Sequence, residues 1–175
     1  EETLALQANL PLLHEALTLE SIDHHLGVTT TDIDSTGASG RLLGSPVYLD
    51  ASTTNGEALW ALRFDVGTAG SGFDQGLEAS RLALSAPLSL NENAGFLRTD
   101  AALLVLYVSD EDDGSSPAVD SYRSFLEGLK AGGDQVRVNA ASELLAWFEM
   151  DPTETGDADV LMLGDYNSYA KEDPI

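Results

Sequence analysis

Residues 101–108, AALLVLYV, are mostly apolar without a break and run straight into Ser109, Asp110, Glu111, Asp112 and Asp113. An alternating pattern would suit a strand with one wet face. A continuous apolar run of this length suits a strand buried on both faces, the situation of a parallel sheet covered by helices on each side. The acidic end then needs relief, because neighbouring carboxylates repel unless water, a cation or hydrogen-bond donors offset the charge. Which of the three operates bears directly on function.

The rest of the chain can be read around that strand. Residues 2–17, ETLALQANLPLLHEAL, set Leu6, Leu10, Leu13 and Leu17 on one helical stripe, with Pro11 a kink or early-turn interruption. Leu26–Thr31 reads as a strand ending at Asp32. Ile33–Asn55 reads as a long excursion rich in Gly, Ser, Thr and Asp, with a short extended piece at PVYLD. A strand is expected within 58–67, ALWALRFDVG, then a glycine-rich turn, then a helix over 73–85 with Phe73, Leu77 and Leu84 close to one face. A polar connection leads to the 101–108 strand. After it come a helix punctuated by Pro117 and by Gly132 and Gly133, a short strand QVRVNA, a helix ASELLAWFEM, a buried strand in DADVLMLGD, and a loop.

Alternating strands and helices imply an α/β protein with a mainly parallel sheet and helices on both faces. In such sheets ligands bind beyond the carboxyl ends of the strands. Those ends read TTTD, VSDEDD and LGDYN, which would bring Asp32, Asp110 and Asp165 to a common rim.

With 175 residues, 43% of them hydrophobic, the chain can build one real core and hardly two. Thirty acidic residues against eight Lys plus Arg give a net charge of -22, which repels nucleic-acid phosphates and anionic membranes and favours divalent cations. Such a surface also keeps a salt-exposed protein soluble. Cysteine is absent, which excludes disulfides, thiolate metal sites and a cysteine nucleophile. No signal segment opens the chain, and no apolar run approaches a membrane span. The chain starts at EETLALQ and stops at KEDPI, which reads as cut at both ends.

Each candidate motif has a structural alternative. The Asp110–Asp113 turn offers hard oxygen ligands suited to magnesium or calcium. It also suits a solvated loop whose first carboxylate, or Ser115 or Ser116, caps the helix beginning near Pro117. His24 and His25 are adjacent, so in a strand they point to opposite faces and do not readily share a metal, which makes them half-buried structural residues. GTAGSG lacks the lysine of a phosphate-binding loop. Trp60, Trp147 and Phe148 have no interleaved basic residues and read as core. No nucleophile-elbow sequence supports a serine triad.

The ordered series GVTTTD, GRLLGSPVYLD, VGTAGSGFDQGLEASRLAL, NAGFLRTDAALLVLYVSDEDDGS and FLEGLK resembles the von Willebrand factor A-type domain of bacterial exported or lipid-anchored proteins, over residues 1–139. The resemblance implies a Rossmann-like sandwich, truncated here, with a metal-ion-dependent adhesion site. It implies a divalent cation, magnesium first and manganese or calcium as alternatives. A protein partner would complete the coordination with a carboxylate. Carried over by position, Asp110 matches the third-loop aspartate. Ser71 falls near the second-loop position, with Thr68 as the other candidate, and Asp112 or Asp113 is an outer tuner or merely solvated. The first Asp-x-Ser-x-Ser loop has no counterpart, since EETLALQ resembles the helix that follows it, so any site in these residues is incomplete. By analogy with the family, the location is secreted or cell-surface.

Residues 143–175, ELLAWFEMDPTETGDADVLMLGDYNSYAKEDPI, resemble a segment of the endonuclease/exonuclease/phosphatase superfamily, in particular its extracellular bacterial nucleases. There a strand ends in Gly-Asp-x-Asn, matched by Gly164, Asp165 and Asn167. The resemblance implies that Asp165 and Asn167 orient phosphate and water beside magnesium. The upstream Glu, the catalytic His and the later Ser-Asp-His segment of that superfamily have no counterpart. The two resemblances meet between about Gly132 and Ser142, giving segments 1–139 and 140–175. The expectation is therefore a non-enzymatic, cation-dependent protein-binding module. Its rival is a fragment of a secreted magnesium-dependent phosphodiesterase, and a third possibility is a chain that folds only when the missing strand is supplied.

Overall fold

The computed structural model describes residues 11–34, 38–64, 71–109, 112–116, 118–130, 136–140 and 157–164. Among these residues four strands form one sheet: β1 (Asp23–Thr29), β2 (Ala102–Val108), β3 (Val136–Ala140) and β4 (Asp157–Gly164). Their order is β1-β4-β2-β3, and every neighbouring pair is parallel. Among the described residues four α-helices accompany them: α1 (Pro11–Leu19), α2 (Gly56–Leu62), α3 (Gly76–Leu84) and α4 (Val119–Gly128). This is an α/β sandwich of truncated Rossmann-like type.

Alternation along each strand sends side chains to two different cores. Leu104 and Leu106 of β2 and Met162 of β4 join Leu13 and Leu17 of α1 and Trp60 of α2 on one face. Leu103 and Val105 of β2 and Leu161 and Leu163 of β4 join Ala79 and Ala83 of α3 and Leu126 of α4 on the other. The uninterrupted apolar run of β2 thus fills both layers at once. The outer edge of β1 is covered in part by the chain itself, through an antiparallel bridge between Leu26 and Leu49 in the predicted extended piece.

Several expectations change. The segment expected as a strand over 58–67 opens as helix α2, and residues 65–70 lie outside the described residues. Ala, Leu and Glu dominate GEALWAL and favour helix. Its aromatic partners are four apart, Trp60 with Phe64, and meet edge-to-face at 4.9 Å on one side. The α3 stripe also differs. Phe73 precedes the helix and is 66% exposed, while the buried side is Gly76, Ala79, Ser80, Ala83 and Leu84. Small residues let this helix lie close to the sheet. The 1–10 part of the first helix, the ASELLAWFEM helix and Trp147 with Phe148 lie outside the described residues.

β4 belongs to the second resembling segment, yet it lies in the middle of the sheet. Val160 pairs with Leu26 of β1 on one side and with Leu104 of β2 on the other. The expected boundary near residue 139 therefore does not divide the sheet.

His24 lies within β1 and is fully buried, with its ring edge-on to that of His14 at 5.3 Å. Its Nδ1 donates to the Ile22 carbonyl at 2.8 Å, and its Nε2 is buried without a partner. His25 points the other way and stacks on Tyr48 at 4.1 Å. Burial, aided by His14, pushes the His24 pKa below its ordinary 6.5, against the raising effect of the Ile22 bond. His24 is then neutral in both folded and unfolded chains above pH 6.5. Below it, the unfolded chain takes up a proton that the folded chain resists, so stability falls as pH falls from about 6.5 toward the folded value. Asp50, held low chiefly by the Ser52 hydroxyl, acts in a more acidic window below its ordinary 3.8. Urea midpoints at about pH 7.5 and about pH 5.5, on either side of the ordinary His range, should therefore separate for the wild type and lie closer together for His24→Phe. Equal separations in the two proteins would contradict the assignment.

Candidate functional site at the carboxyl rim of the sheet

Parallel strands end together, so their following loops share one edge. β1 ends at Thr29, in register with Leu163 of β4, and Val108 at the end of β2 is in register with Gly164. Among the described residues, polar groups beyond the ends of β1 and β2 find partners in side chains and in other loops.

Asp74, just ahead of α3, is the buried centre of this edge. Its Oδ1 accepts the Thr31 hydroxyl at 3.0 Å, and its Oδ2 accepts the Ser109 hydroxyl at 2.5 Å. Its backbone carbonyl accepts the Gly114 N–H at 2.7 Å, while the Gln75 N–H donates to the Thr31 carbonyl at 3.1 Å. One carboxylate thereby links the β1 end, the β2 end and the start of α3. Beside it, buried Asp32 accepts the Asp34 N–H at 2.8 Å through Oδ1 and the Ser71 N–H at 3.0 Å through Oδ2. Ser71 in turn accepts the Phe73 N–H on its hydroxyl at 3.2 Å.

The acidic burst after β2 is partly relieved by hydrogen-bond donors. Asp113 Oδ2 accepts the Leu77 N–H at 3.0 Å, and its Oδ1 accepts the Ser115 N–H at 2.9 Å. Ser115 Oγ accepts the Glu78 N–H at 3.0 Å. The Leu77 and Glu78 N–H groups belong to the first turn of α3, whose own N-cap Gln75 makes no side-chain cap bond. A carboxylate there also meets the positive end of the helix dipole. Asp113 and Ser115 thus cap α3. Asp110, the first carboxylate of the expected cap, lies outside the described residues, and Ser115 serves α3 and not the helix after Pro117. The residue preceding that helix, Ala118, makes no side-chain cap bond. Asp113 is exposed and caps α3, and Asp112 is exposed beside it.

Gly76 marks how tightly these pieces meet. A Cβ placed there would lie 3.1 Å from the Tyr107 ring, 3.4 Å from Asp113 Oδ2 and 3.5 Å from Thr31 Cγ2. The Tyr107 hydroxyl donates to Ser80 at 2.7 Å, and burial pushes its pKa up to about 12, so it stays a donor across ordinary conditions.

Of the residues proposed from sequence, Ser71 and Asp112 are described, and Ser71 stands on the same edge as Ser109 through Asp32, Thr31 and Asp74. Asp110, Asp165, Asn167 and Thr68 lie outside the described residues. Asp74 was not singled out by the sequence reading. Its only local signal is an Asp two residues before a helix, which suggests a cap and not a buried acceptor. Among the described residues no group of three or more acidic or histidine side chains could hold a metal ion. The described oxygens have the right chemistry for a hard cation, but they are bonded to one another and to backbone N–H groups. A cation here would need ligands from beyond them. Among the described residues no helix is long and apolar enough to cross a membrane.

Fold and edge together define an α/β protein with an oxygen-rich carboxyl rim. No family model, curated protein or solved structure matches the chain.

Proposed function

We propose that this chain is a protein-binding module of the von Willebrand A type, incomplete in these residues, which engages a carboxylate of a protein partner through a divalent cation. The observation that supports this reading is the gathering of Thr31, Asp32, Ser71, Asp74 and Ser109 at one strand-end edge by direct hydrogen bonds. Asp110, next after Ser109, is the principal proposed ligand and Ser71 the secondary one, with Asp112 acting from outside. Asp32 and Asp74 position the loops, because their oxygens already accept N–H and hydroxyl donors. Magnesium is the first candidate, with manganese and calcium as substitutes. When bound, such an ion would supply positive charge for a partner carboxylate on an otherwise repulsive acidic surface. A secreted or surface location fits the resemblance.

Titration with magnesium, manganese and calcium tests the proposal. At about 100-fold excess over the dissociation constant, linkage stabilises the fold by roughly 2.7 kcal/mol. The melting temperature should rise accordingly, and Asp110→Ala should abolish the rise. An unchanged melting temperature at millimolar ion, about the upper range for extracellular-type sites, would reject the module in this form. Hydrolysis of plasmid DNA that disappears in Asp165→Ala would instead support the phosphodiesterase reading, in which Asp165 and Asn167 orient phosphate and water.

A further inference from the structure

The last strand in the sequence occupies the middle of the sheet. Without β4, β1 keeps, among the described residues, its bridge to Leu49 and the Leu43 N–H bond to the Val28 carbonyl, while β2 and β3 remain a pair. The facing edges of β1 and β2 would then stand two strand spacings apart, roughly 9–10 Å, with an apolar layer above and below. The slot therefore takes one extended parallel segment that is apolar on both faces. β4 satisfies this with Leu161, Met162 and Leu163, all fully buried and divided between the two cores.

In β4 Val160 pairs with both neighbours at the same level, so strand and slot define each other's register. β4 follows every other described element in the chain. During synthesis the edges of β1 and β2 must wait for it, and waiting edges are templates for pairing with another chain. None of these pairings depends on whether β4 comes from the same chain or from an identical one. We infer that the slot between β1 and β2 is a strand-acceptor site whose partner is a second copy of this chain, donating residues 157–164 in a reciprocal two-fold exchange. The balance between closed monomer and exchanged dimer is then set by the effective concentration of the tethered strand against that of free chains. A net charge of -22 on each copy opposes the encounter, so salt should favour the dimer.

Complementation tests this. Leu161→Asp spoils the donated strand, and Val105→Asp, at the position facing Leu161 in register on β2, spoils the slot. Each full-length variant alone should lack a cooperative unfolding transition. Refolded together in equal amounts, they should recover a transition of up to half the wild-type amplitude in a dimeric species, since the slot of one can accept the strand of the other. A mixture that equals the sum of its separate components overturns the inference, as does a Leu161→Asp chain that unfolds like the wild type. Light scattering on wild-type chain refolded at rising concentration, at low and high salt, is the second measurement. Dimer that grows with both supports exchange, and monomer under every condition overturns it.

Discussion

Replacing Trp60 with alanine should destabilise the fold by about 3–5 kcal/mol, among the largest effects open to a single truncation. Trp60 is fully buried on α2, edge-to-face with Phe64, and belongs to the core that α1, α2, β1, β2 and β4 share. Truncation removes a large apolar surface and leaves a cavity that five elements would have to close together. Collapse at one point would disturb the others, so relaxation should recover little of the loss. Leu62 on the same helix is 66% exposed, and Leu62→Ala should stay within about 0.5 kcal/mol of the wild type. Urea denaturation of the two variants beside the parent gives the comparison. Similar midpoints for Trp60→Ala and Leu62→Ala would mean that this helix does not face the sheet through Trp60.

Gly56→Ala should be nearly as damaging, for the opposite reason. A Cβ on Gly56 would lie 2.2 Å from His14 Cε1 and 2.3 Å from His14 Nε2, far inside any tolerable contact. The ring cannot swing away freely, because His14 Nε2 donates to the Asp50 carbonyl at 3.1 Å and the ring edge abuts His24. Overpacking of this kind costs about 1–3 kcal/mol and sometimes more. That is the reverse of the small gain alanine normally brings to a helix. A double-mutant cycle with His14→Ala isolates the cause. Once the ring is gone, the methyl group has room, so the double variant should be markedly more stable than the sum of the two single losses predicts. Strict additivity would place the cost of the glycine substitution elsewhere.

The histidines and the acidic turn show how far residue types can be read without contacts. Adjacency alone put His24 and His25 on opposite faces, and they do diverge, one to His14 and the other to Tyr48. Full burial of His24 with a bare Nε2 was not readable, because it depends on α1 arriving from another part of the chain. Likewise, Ser115 read as a cap for the helix near Pro117, yet it and its neighbour Asp113 cap a different helix. The first turn of α3, some 36 residues upstream, lies closer in space. Asp74 was missed because a carboxylate's role is decided by which hydroxyls reach it, here from Thr31 and Ser109. The segment around Trp60 folds as a helix where a strand is expected, because a short apolar stretch carries too weak a period to distinguish the two.

By itself the sequence determined that this chain builds a parallel α/β sheet covered on both sides, because two-sided burial is a property each apolar strand carries in its own residues. It also determined that polar and acidic groups follow those strands. The tertiary structure alone decided that β4 lies between β1 and β2 and that Asp74 joins the strand ends. Apolar strands of equal length are interchangeable as local patterns. Their order is set only when every backbone edge and both cores must be satisfied together.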